Sequence, residues 1–409
     1  MRRPWAIFGL IGLAGGVAWS GACGTIISPF PKTAAWTART VSTAAGLRPT
    51  VVEAADIDND GRIDIITGYA GVTGVSDPRV VIFFQNSVDS FEAVVIGATA
   101  DLAGVTALAV ADLDGDTHQD VVAACNGRLI YLHSPVAPRT AAGWTLSTFD
   151  DSSGVGVGQW NDVAIGDIDG AEGPDLVACN GNNGWLSWFR SPAVRTSGVG
   201  WTRFNIDATS RGSATSVLLE DVDGDGRIDV ISTAPGETTA RTAWYKNPTN
   251  PATDAWTKTA IGNAVGAARL ALADVNQDGR KDVVVTLRTT VGVGWYQKPT
   301  NPLSSWSGYQ LTQYNANVPT DVKLADIDGN GQVDAVVSTR ENGSLRWFTP
   351  IGSQTAQWYE NNLQDMPNFA VGRIALADID GDGRPDVIAP LQGPASTDDR
   401  VVWYENPEP

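Results

Sequence analysis

The sequence predicts an all-β fold, a seven-bladed β-propeller of four-stranded antiparallel blades closed by an N-terminal strand that completes the last blade. Three observations carry this expectation. The string Asp-x-Asp-x-Asp-Gly-x-x-Asp, or a near relative, occurs seven times, with first aspartates at Asp56, Asp112, Asp167, Asp221, Asp274, Asp326 and Asp378. Their spacings of 56, 55, 54, 53, 52 and 52 residues mark an array of similar supersecondary units rather than unrelated domains. Between the strings lie short runs rich in β-branched and aromatic residues, punctuated by Gly, Pro and Asn, which is the signal for strands.

At the N-terminus, Arg2 and Arg3 precede an apolar run from Ala6 to Val17 and the small-residue ending Ser20, Gly21, Ala22. This is the layout of a secretory signal peptide, with an apolar run too short to span a bilayer as a helix. Residues 1–22 are therefore read as a signal peptide, 23–35 as a linker and 36–409 as the propeller, with no transmembrane span in the mature chain. Cys23, directly after the cleavage position, raises lipid anchoring as an alternative, but Ser20 stands where a lipobox carries Leu. The expected place is secreted, periplasmic or at the cell surface.

The fourth unit shows the blade plan. Ala214 to Glu220 leads into the aspartate string, Asp229 to Thr233 leaves it, Thr242 to Lys246 follows a Pro-Gly turn, and Trp256 to Ile261 closes the unit. These are strands A to D of one blade. The array ends after a C strand, Arg400 to Glu405, while a surplus segment at its front, Trp36 to Val41, resembles the D strands beginning at Trp144, Trp201, Trp256 and Trp306. Pairing those two ends would close the ring and leave no open sheet edge. Strand counting puts the A–B and C–D loops on one face and the B–C and D–A loops on the other. Proline opens the C–D loops at Pro135, Pro192, Pro248, Pro299, Pro350 and Pro407, where its missing N–H ends pairing.

The A–B loops carry oxygen ligands at positions 1, 3, 5 and 9. They are Asp56, Asp58, Asp60 and Asp64 in loop 1; Asp112, Asp114, Asp116 and Asp120 in loop 2; Asp167, Asp169 and Asp175 in loop 3; Asp221, Asp223, Asp225 and Asp229 in loop 4; Asp274, Asn276, Asp278 and Asp282 in loop 5; Asp326, Asp328, Asn330 and Asp334 in loop 6; and Asp378, Asp380, Asp382 and Asp386 in loop 7. Carboxylates at 1, 3 and 5 of a tight loop point at one centre, Gly at 6 permits the turn, and a carbonyl at 7 with a carboxylate at 9 completes an oxygen shell suited to Ca²⁺. No His or Cys stands among the ligand positions, which argues against zinc. Up to seven calcium sites are expected, with loops 1, 4 and 7 complete. Loop 3 is the doubtful one, because Ala171 replaces a ligand and Glu172 the usual Gly.

Units ending in Asp-Gly-Asp-Gly-x-x-Asp-Val-Val and then Trp-Tyr-Glu-Asn resemble the VCBS and FG-GAP repeat family, related to the propeller of integrin α subunits. The resemblance covers about residues 36 to 409 and implies a calcium-bearing, secreted or surface-exposed seven-bladed propeller. Loop 3, the Trp-rich D strands and the lack of clear Phe-Gly and Gly-Ala-Pro signatures depart from the pattern. The family includes adhesion modules, lectins and accessory domains of enzymes, so the resemblance leaves function open.

Composition narrows the partners. A net charge of −18 disfavours nucleic acid, whose binding needs basic stripes. Of the 46 acidic residues, 25 are aspartates at the loop ligand positions, so the acidity is mainly local metal chemistry. Cys125 and Cys179 occupy similar places in neighbouring units but differ by one in their offset from Asp120 and Asp175, which puts them on opposite strand faces and predicts two buried free thiols.

Specificity is expected on the face away from the aspartate loops. Five residues before each first aspartate, strand A begins with Val51, Ala107, Asp162, Ser216, Arg269, Asp321 and Arg373, around the channel mouth. Asp162, Arg269, Asp321 and Arg373, with Trp160 and Asn161 from the preceding loop, are the candidate ligand residues, although mutual ion pairs plugging the channel would use the same charges. Trp188, Trp244, Trp295, Trp347 and Trp403 recur once per blade on C strands and are expected to pack between blades. Asn180, Asn182, Asn183 and Trp185 are less repetitive candidates for recognition.

Of the two histidines, His118 sits at a carbonyl-ligand position of loop 2 and His133 in a C strand. No nucleophile elbow, zincin or phosphate-loop motif is present. The expected function is an exported, monomeric calcium propeller binding an extracellular glycan or protein without catalysis. The alternative is a carbohydrate-active enzyme of polysaccharide-lyase type, using a channel-mouth Arg or bound Ca²⁺ to neutralise a uronate.

Overall fold

In the computed structural model, residues 26–27, 35–43, 47–71, 78–150, 159–171, 173–182, 184–209, 212–289, 292–313, 317–340, 343–351 and 358–407 are described. The expected signal peptide, Cys23, Glu172 and Asn183 lie outside them.

Seven antiparallel sheets follow one another along the chain, each in the order A-B-C-D. Blade 4 is Ser216–Glu220, Asp229–Thr233, Thr242–Lys246 and Thr257–Gly262. The B strands are buried along their whole length, as Asp64–Tyr69 and Asp334–Thr339 show, because a neighbouring blade covers each face. Their sequences are accordingly apolar runs without alternation, while D strands such as Thr37–Ser42 and Thr257–Gly262 keep exposed positions on the rim.

The ring closes as the sequence predicts. Thr37–Ser42 pairs antiparallel with Arg400–Glu405, with Thr37 opposite Glu405 and Arg39 opposite Trp403, and supplies blade 7 with its D strand. Arg39 clasps the join, donating to Glu405 at 2.6 and 2.8 Å. Near the axis, Arg373 N donates to Thr50 O at 3.0 Å and Val52 N to Arg373 O at 3.1 Å, so the A strands of blades 7 and 1 also bond. Blade 7 breaks its own A strand there, into Ala370–Val371 and Ala375–Ala377. Gly372 sits in the gap, where an added Cβ would lie 2.3 Å from Thr50 O.

Two details differ from the strand count. Ile26–Ile27, within the expected linker, adds a short parallel strand beside Tyr359 and Glu360 and makes blade 6 five-stranded. Pro350 is the last residue of its C strand rather than the first of the loop.

The core lies between blades. Trp188 packs with Val217 and Val230 of blade 4, Trp244 with Leu270 and Val283 of blade 5, Trp295 with Val322 and Val337 of blade 6, Trp347 with Ile374 and Val387 of blade 7, and Trp403 with Val52 and Ile65 of blade 1. The C-strand tryptophans thus have the inter-blade role expected of them, each a large apolar body keyed into its neighbour. Of the tryptophans before the D strands, for which the same packing is expected, Trp144, Trp201 and Trp306 also belong to inter-blade clusters. All four fasten the outer loops: Trp144, Trp201, Trp256 and Trp306 donate Nε1–H to the carbonyls of Pro138, Ser197, Pro251 and Pro302. Cys125 and Cys179 are free and buried, in different inter-blade clusters. Among the described residues no helix is long and apolar enough to cross a membrane.

Candidate functional site

The acid loops and the axial cavity occupy opposite ends of the A strands. In each loop the position-1 carboxylate organises the turn: Asp56 Oδ2 accepts from Gly61 N at 2.9 Å, Asp221 Oδ2 from Gly226 N at 2.9 Å and Asp378 Oδ2 from Gly383 N at 2.8 Å. Those glycines take φ of 85° to 86°, the left-handed region that glycine enters without penalty. Loop 2 forces Thr117 into the same region at 77°, a local strain that follows from its missing glycine.

The position-9 aspartates do more than the ligand pattern implies. In all seven loops Oδ2 accepts from the backbone N–H of position 2, as in Asp64 with Ile57 at 2.9 Å and Asp386 with Ile379 at 2.9 Å. In six loops Oδ1 also accepts a backbone N–H from the end of strand C: Gln85, Ser134, Ser191, Asn247, Lys298 and Asn406 at 2.7 to 2.8 Å. Each of these aspartates therefore latches its loop onto the blade. Loop 6 is the exception, since Asp334 Oδ1 is buried without a hydrogen-bond partner.

Carboxylate oxygens of Asp56, Asp58 and Asp64, of Asp112, Asp114 and Asp120, and of Asp167, Asp169 and Asp175 lie within 4.8 Å of one another, as do those of Asp221, Asp223 and Asp225. Loop 3 thus keeps a three-carboxylate group despite Ala171. Basic side chains turn toward several of these loops: Arg139 toward Asp58 and Asp60, Arg190 toward Asp169 at 2.5 Å, and Lys246 toward Asp223 and Asp225. Both histidines join loop 2, His133 Nε2 at 2.9 Å from Asp114 and His118 Nδ1 at 3.1 Å from Asp116, so His133 has the partner that its sequence context left unseen. Even so, Asp58 Oδ1 and Asp223 Oδ1 remain buried and unpartnered. Orphaned carboxylate oxygens in a converging oxygen-only group fit a divalent cation, and these clusters could hold a metal ion.

Burial raises the position-9 carboxyls despite their backbone hydrogen bonds, to about 7 for Asp64, Asp282, Asp334 and Asp386 and to about 6 for Asp175 and Asp229; Asp120 shifts the same way. A carboxyl that titrates higher folded than unfolded stabilises the fold while protonated and loses that contribution as pH rises through its folded value. The cation-free protein is therefore expected to melt higher at pH 5.5 than at pH 8. Cation-loaded protein should show the reverse order, because protons compete with metal for the same oxygens. Thermal melts with and without chelator at the two pH values check this, and a chelated protein weaker at pH 5.5 would overturn it.

At the other end of the A strands, Asp162, Arg269 and Arg373 of blades 3, 5 and 7 meet near the axis. Arg373 Nη1 lies 2.7 Å from Asp162 Oδ1 and Arg269 Nη1 lies 3.7 Å from Asp162 Oδ2. Ser216 Oγ at 2.9 Å and Val217 N at 3.1 Å also donate to Asp162 Oδ2. Burial alone would raise the Asp162 carboxyl, but Arg373 and Arg269 hold it below the usual range. Burial and the neighbouring Arg373 bring Arg269 down to about 10. Asp321 is also buried and accepts Ile374 N at 3.2 Å.

Above this ion-pair plug opens a cavity of about 430 Å³ lined by Thr50, Thr106, Asn161, Thr215, Thr320, Gln159, Ser213, Gln392, Arg269, Arg288, Arg340 and Arg373, with Val105, Ala370, Val371 and Gly372. The threonine hydroxyls also stitch blades together: Thr50 donates to Val105 O at 2.7 Å, Thr106 to Trp160 O at 2.6 Å and Thr215 to Ala268 O at 2.9 Å. Of the candidate ligand residues, Arg269, Arg373 and Asn161 line the cavity, whereas Asp162 and Asp321 lie in the plug beneath it. Trp160 is placed elsewhere: it is fully buried in the cluster between blades 2 and 3, 5.9 Å from Phe189. Asn180 is likewise buried, and Trp185 lies under the Arg203 guanidinium at 5.2 Å. Arg288, Arg340 and Gln392 were not among the sequence candidates. Their signal is positional, each being the sixth residue after the last aspartate of its loop.

Comparison with known proteins gives the fold and part of its lineage. Residues 221–285 and 326–389 match the family model of the FG-GAP-like repeat. No curated protein matches the chain. Among solved structures, BBS1N, determined in complex with ARL6DN, superposes with a TM-score of 0.55 at 13% identity, covering 90% of this chain and 98% of that one. A lectin of Agrocybe aegerita that recognises non-reducing terminal N-acetylglucosamine superposes with a TM-score of 0.52 at 14% identity, covering 78% of this chain and 81% of that one. At these identities the likeness is one of fold.

Proposed function

We propose that this chain, an FG-GAP-type seven-bladed β-propeller, is an exported calcium-binding recognition module that takes a glycan or protein ligand through the face opposite its acid loops and does not transform it. The observation that carries this reading is the axial cavity, a polar recess set over a buried ion-pair plug at the end of the A strands away from the loops. Calcium is favoured over softer ions by the oxygen-only groups of loops 1, 3 and 4, whereas in loop 2 His133 also joins Asp114 and Asp116 in a mixed group. The loop carboxylates would hold the cation, which would hold the blade rims by neutralising them. The fold it shares with a fungal lectin is consistent with glycan recognition.

The lyase alternative asks for a proton acceptor beside the arginines. The described cavity lining offers hydroxyls, amides and guanidiniums, which suits binding better than acid–base chemistry. A glycan array probed with calcium present, followed by product analysis of any polysaccharide bound, tests the reading. Binding without cleavage is expected, and shortened or unsaturated products would replace this proposal with the enzymic one.

A further inference from the structure

The charge around the cavity is one-sided. Arg288 and Arg340 leave the B strands Asp282–Leu287 and Asp334–Thr339 at equivalent places in blades 5 and 6, and Gln392 ends the corresponding strand of blade 7. The other four blades put Ala70, Asn126, Gly181 and Pro235 there. Three consecutive blades thus offer guanidinium or amide donors to one side of the mouth.

Neither Arg288 nor Arg340 has a side-chain hydrogen bond or ion pair among the described residues, although both side chains line the cavity. Below them the Nε atoms of Arg269 and Arg373 are buried without a partner. No carboxylate is among the described lining residues, and Asp162 is already met by two guanidiniums, a hydroxyl and an amide. Arg288 is held below the usual arginine range by burial and by the positive charges of Arg340 and Arg373. In a chain of net charge −18, a recess whose described lining carries four arginines and no acid is a site of concentrated positive potential.

We propose that this cavity binds an oxyanion, the carboxylate of an acidic sugar, with Arg288 and Arg340 as its principal clamp and the threonine and amide wall receiving the sugar hydroxyls. The proposal rests on the recognition reading above and specifies its ligand. A guanidinium presents parallel N–H donors that match a carboxylate bidentately. The remaining described wall mixes hydroxyls and amides with the apolar Val105, Ala370 and Val371, a surface that offers a sugar ring both hydrogen bonds for its hydroxyls and contact for its C–H face. The volume of about 430 Å³ is within the range of small-ligand pockets.

Calorimetric titration of the full, calcium-supplemented chain with oligogalacturonate, with the neutral galactose oligomer, and with sodium sulfate and phosphate tests this, alongside Arg288→Gln/Arg340→Gln. The wild-type chain should bind oligogalacturonate, more weakly as NaCl is raised. The double variant should bind at least about tenfold more weakly, the loss of one charge-assisted hydrogen bond or more, with an unchanged melting temperature because neither side chain is bonded to a described residue. Should that variant fail to fold, the salt dependence and the neutral-sugar comparison in wild-type protein still decide the matter. Equal binding of neutral and acidic oligomers by both proteins would overturn the oxyanion clamp while leaving glycan recognition standing. Binding of sulfate or phosphate as tight as that of the uronate would overturn the sugar assignment. A chain that binds no array glycan and no oligogalacturonate would remove the glycan reading as well.

Discussion

Chelation of divalent cations should lower the melting temperature of this protein by about 10 °C or more. Each cation bound at a hundredfold its dissociation constant stabilises the folded state by about 2.7 kcal/mol, so loops 1, 4 and 7 alone would contribute about 8 kcal/mol. That is comparable with the whole stability of an ordinary domain, and about 2.1 cal/mol/K of unfolding entropy per residue converts it to roughly 10 °C for a propeller of this length. The physical cause is visible in loops 1 and 4, where Asp58 Oδ1 and Asp223 Oδ1 are buried without partners. Arg139 and Lys246 reach those aspartates and neutralise part of the charge, so the cation-free loops keep some order. Calcium should restore the melt and magnesium should restore it less, because a flexible many-oxygen site suits the larger ion. Differential scanning calorimetry over a chelator and re-addition series measures this, and an unchanged transition would sink the structural role of the cation.

Replacing Asp162 by Asn is the single substitution expected to damage the fold most. Asn keeps the shape and still accepts from Ser216 and Val217, but it removes the negative charge lying 2.7 Å from Arg373 and 3.7 Å from Arg269. Breaking a buried ion pair by removing one partner costs about 3–5 kcal/mol, because the other charge stays buried and uncompensated. Here two guanidiniums are left facing one another, with Asp321 and Glu53 the acids that still act on Arg373. Pairing Asp162→Asn with Arg269→Met should cost less than the two singles together, since the second change removes one of the stranded charges. Urea unfolding of the four proteins gives the coupling, and strict additivity would show that the three residues do not act as a unit.

The architecture could be read before any coordinates because its determinants repeat. The aspartate strings set the blade period, the prolines after strand C oriented the loops, and the Trp36 segment matched the other D strands closely enough to reveal the closing strand. The cavity was harder, for two reasons. Trp160 and Asp162 are two residues apart and in a regular strand would share a face, but the ladder with Asn180 and Cys179 shifts register between them. That bulge turns Trp160 into the core while leaving Asp162 at the axis. Arg288 and Arg340, by contrast, sit in B–C loops whose neighbouring residues follow no pattern, and they become visible only when blades are aligned on the last aspartate of each loop. The axial plug was legible as a set of alternating charges, but its depth below the cavity needed side-chain positions.

The join of Thr37–Ser42 to Arg400–Glu405 also governs the order in which the molecule can be completed. Arg39 and Glu405, which clasp that join, are 366 residues apart in sequence. A ribosome working at roughly 5–20 residues per second needs on the order of 20–70 s to make the intervening chain. Throughout that interval the first strand has no partner, and the growing row of blades has two raw ends. Closure therefore waits on the seventh blade and carries a large loop-closure entropy, which makes the joining of the two ends the slowest step expected in assembling the ring.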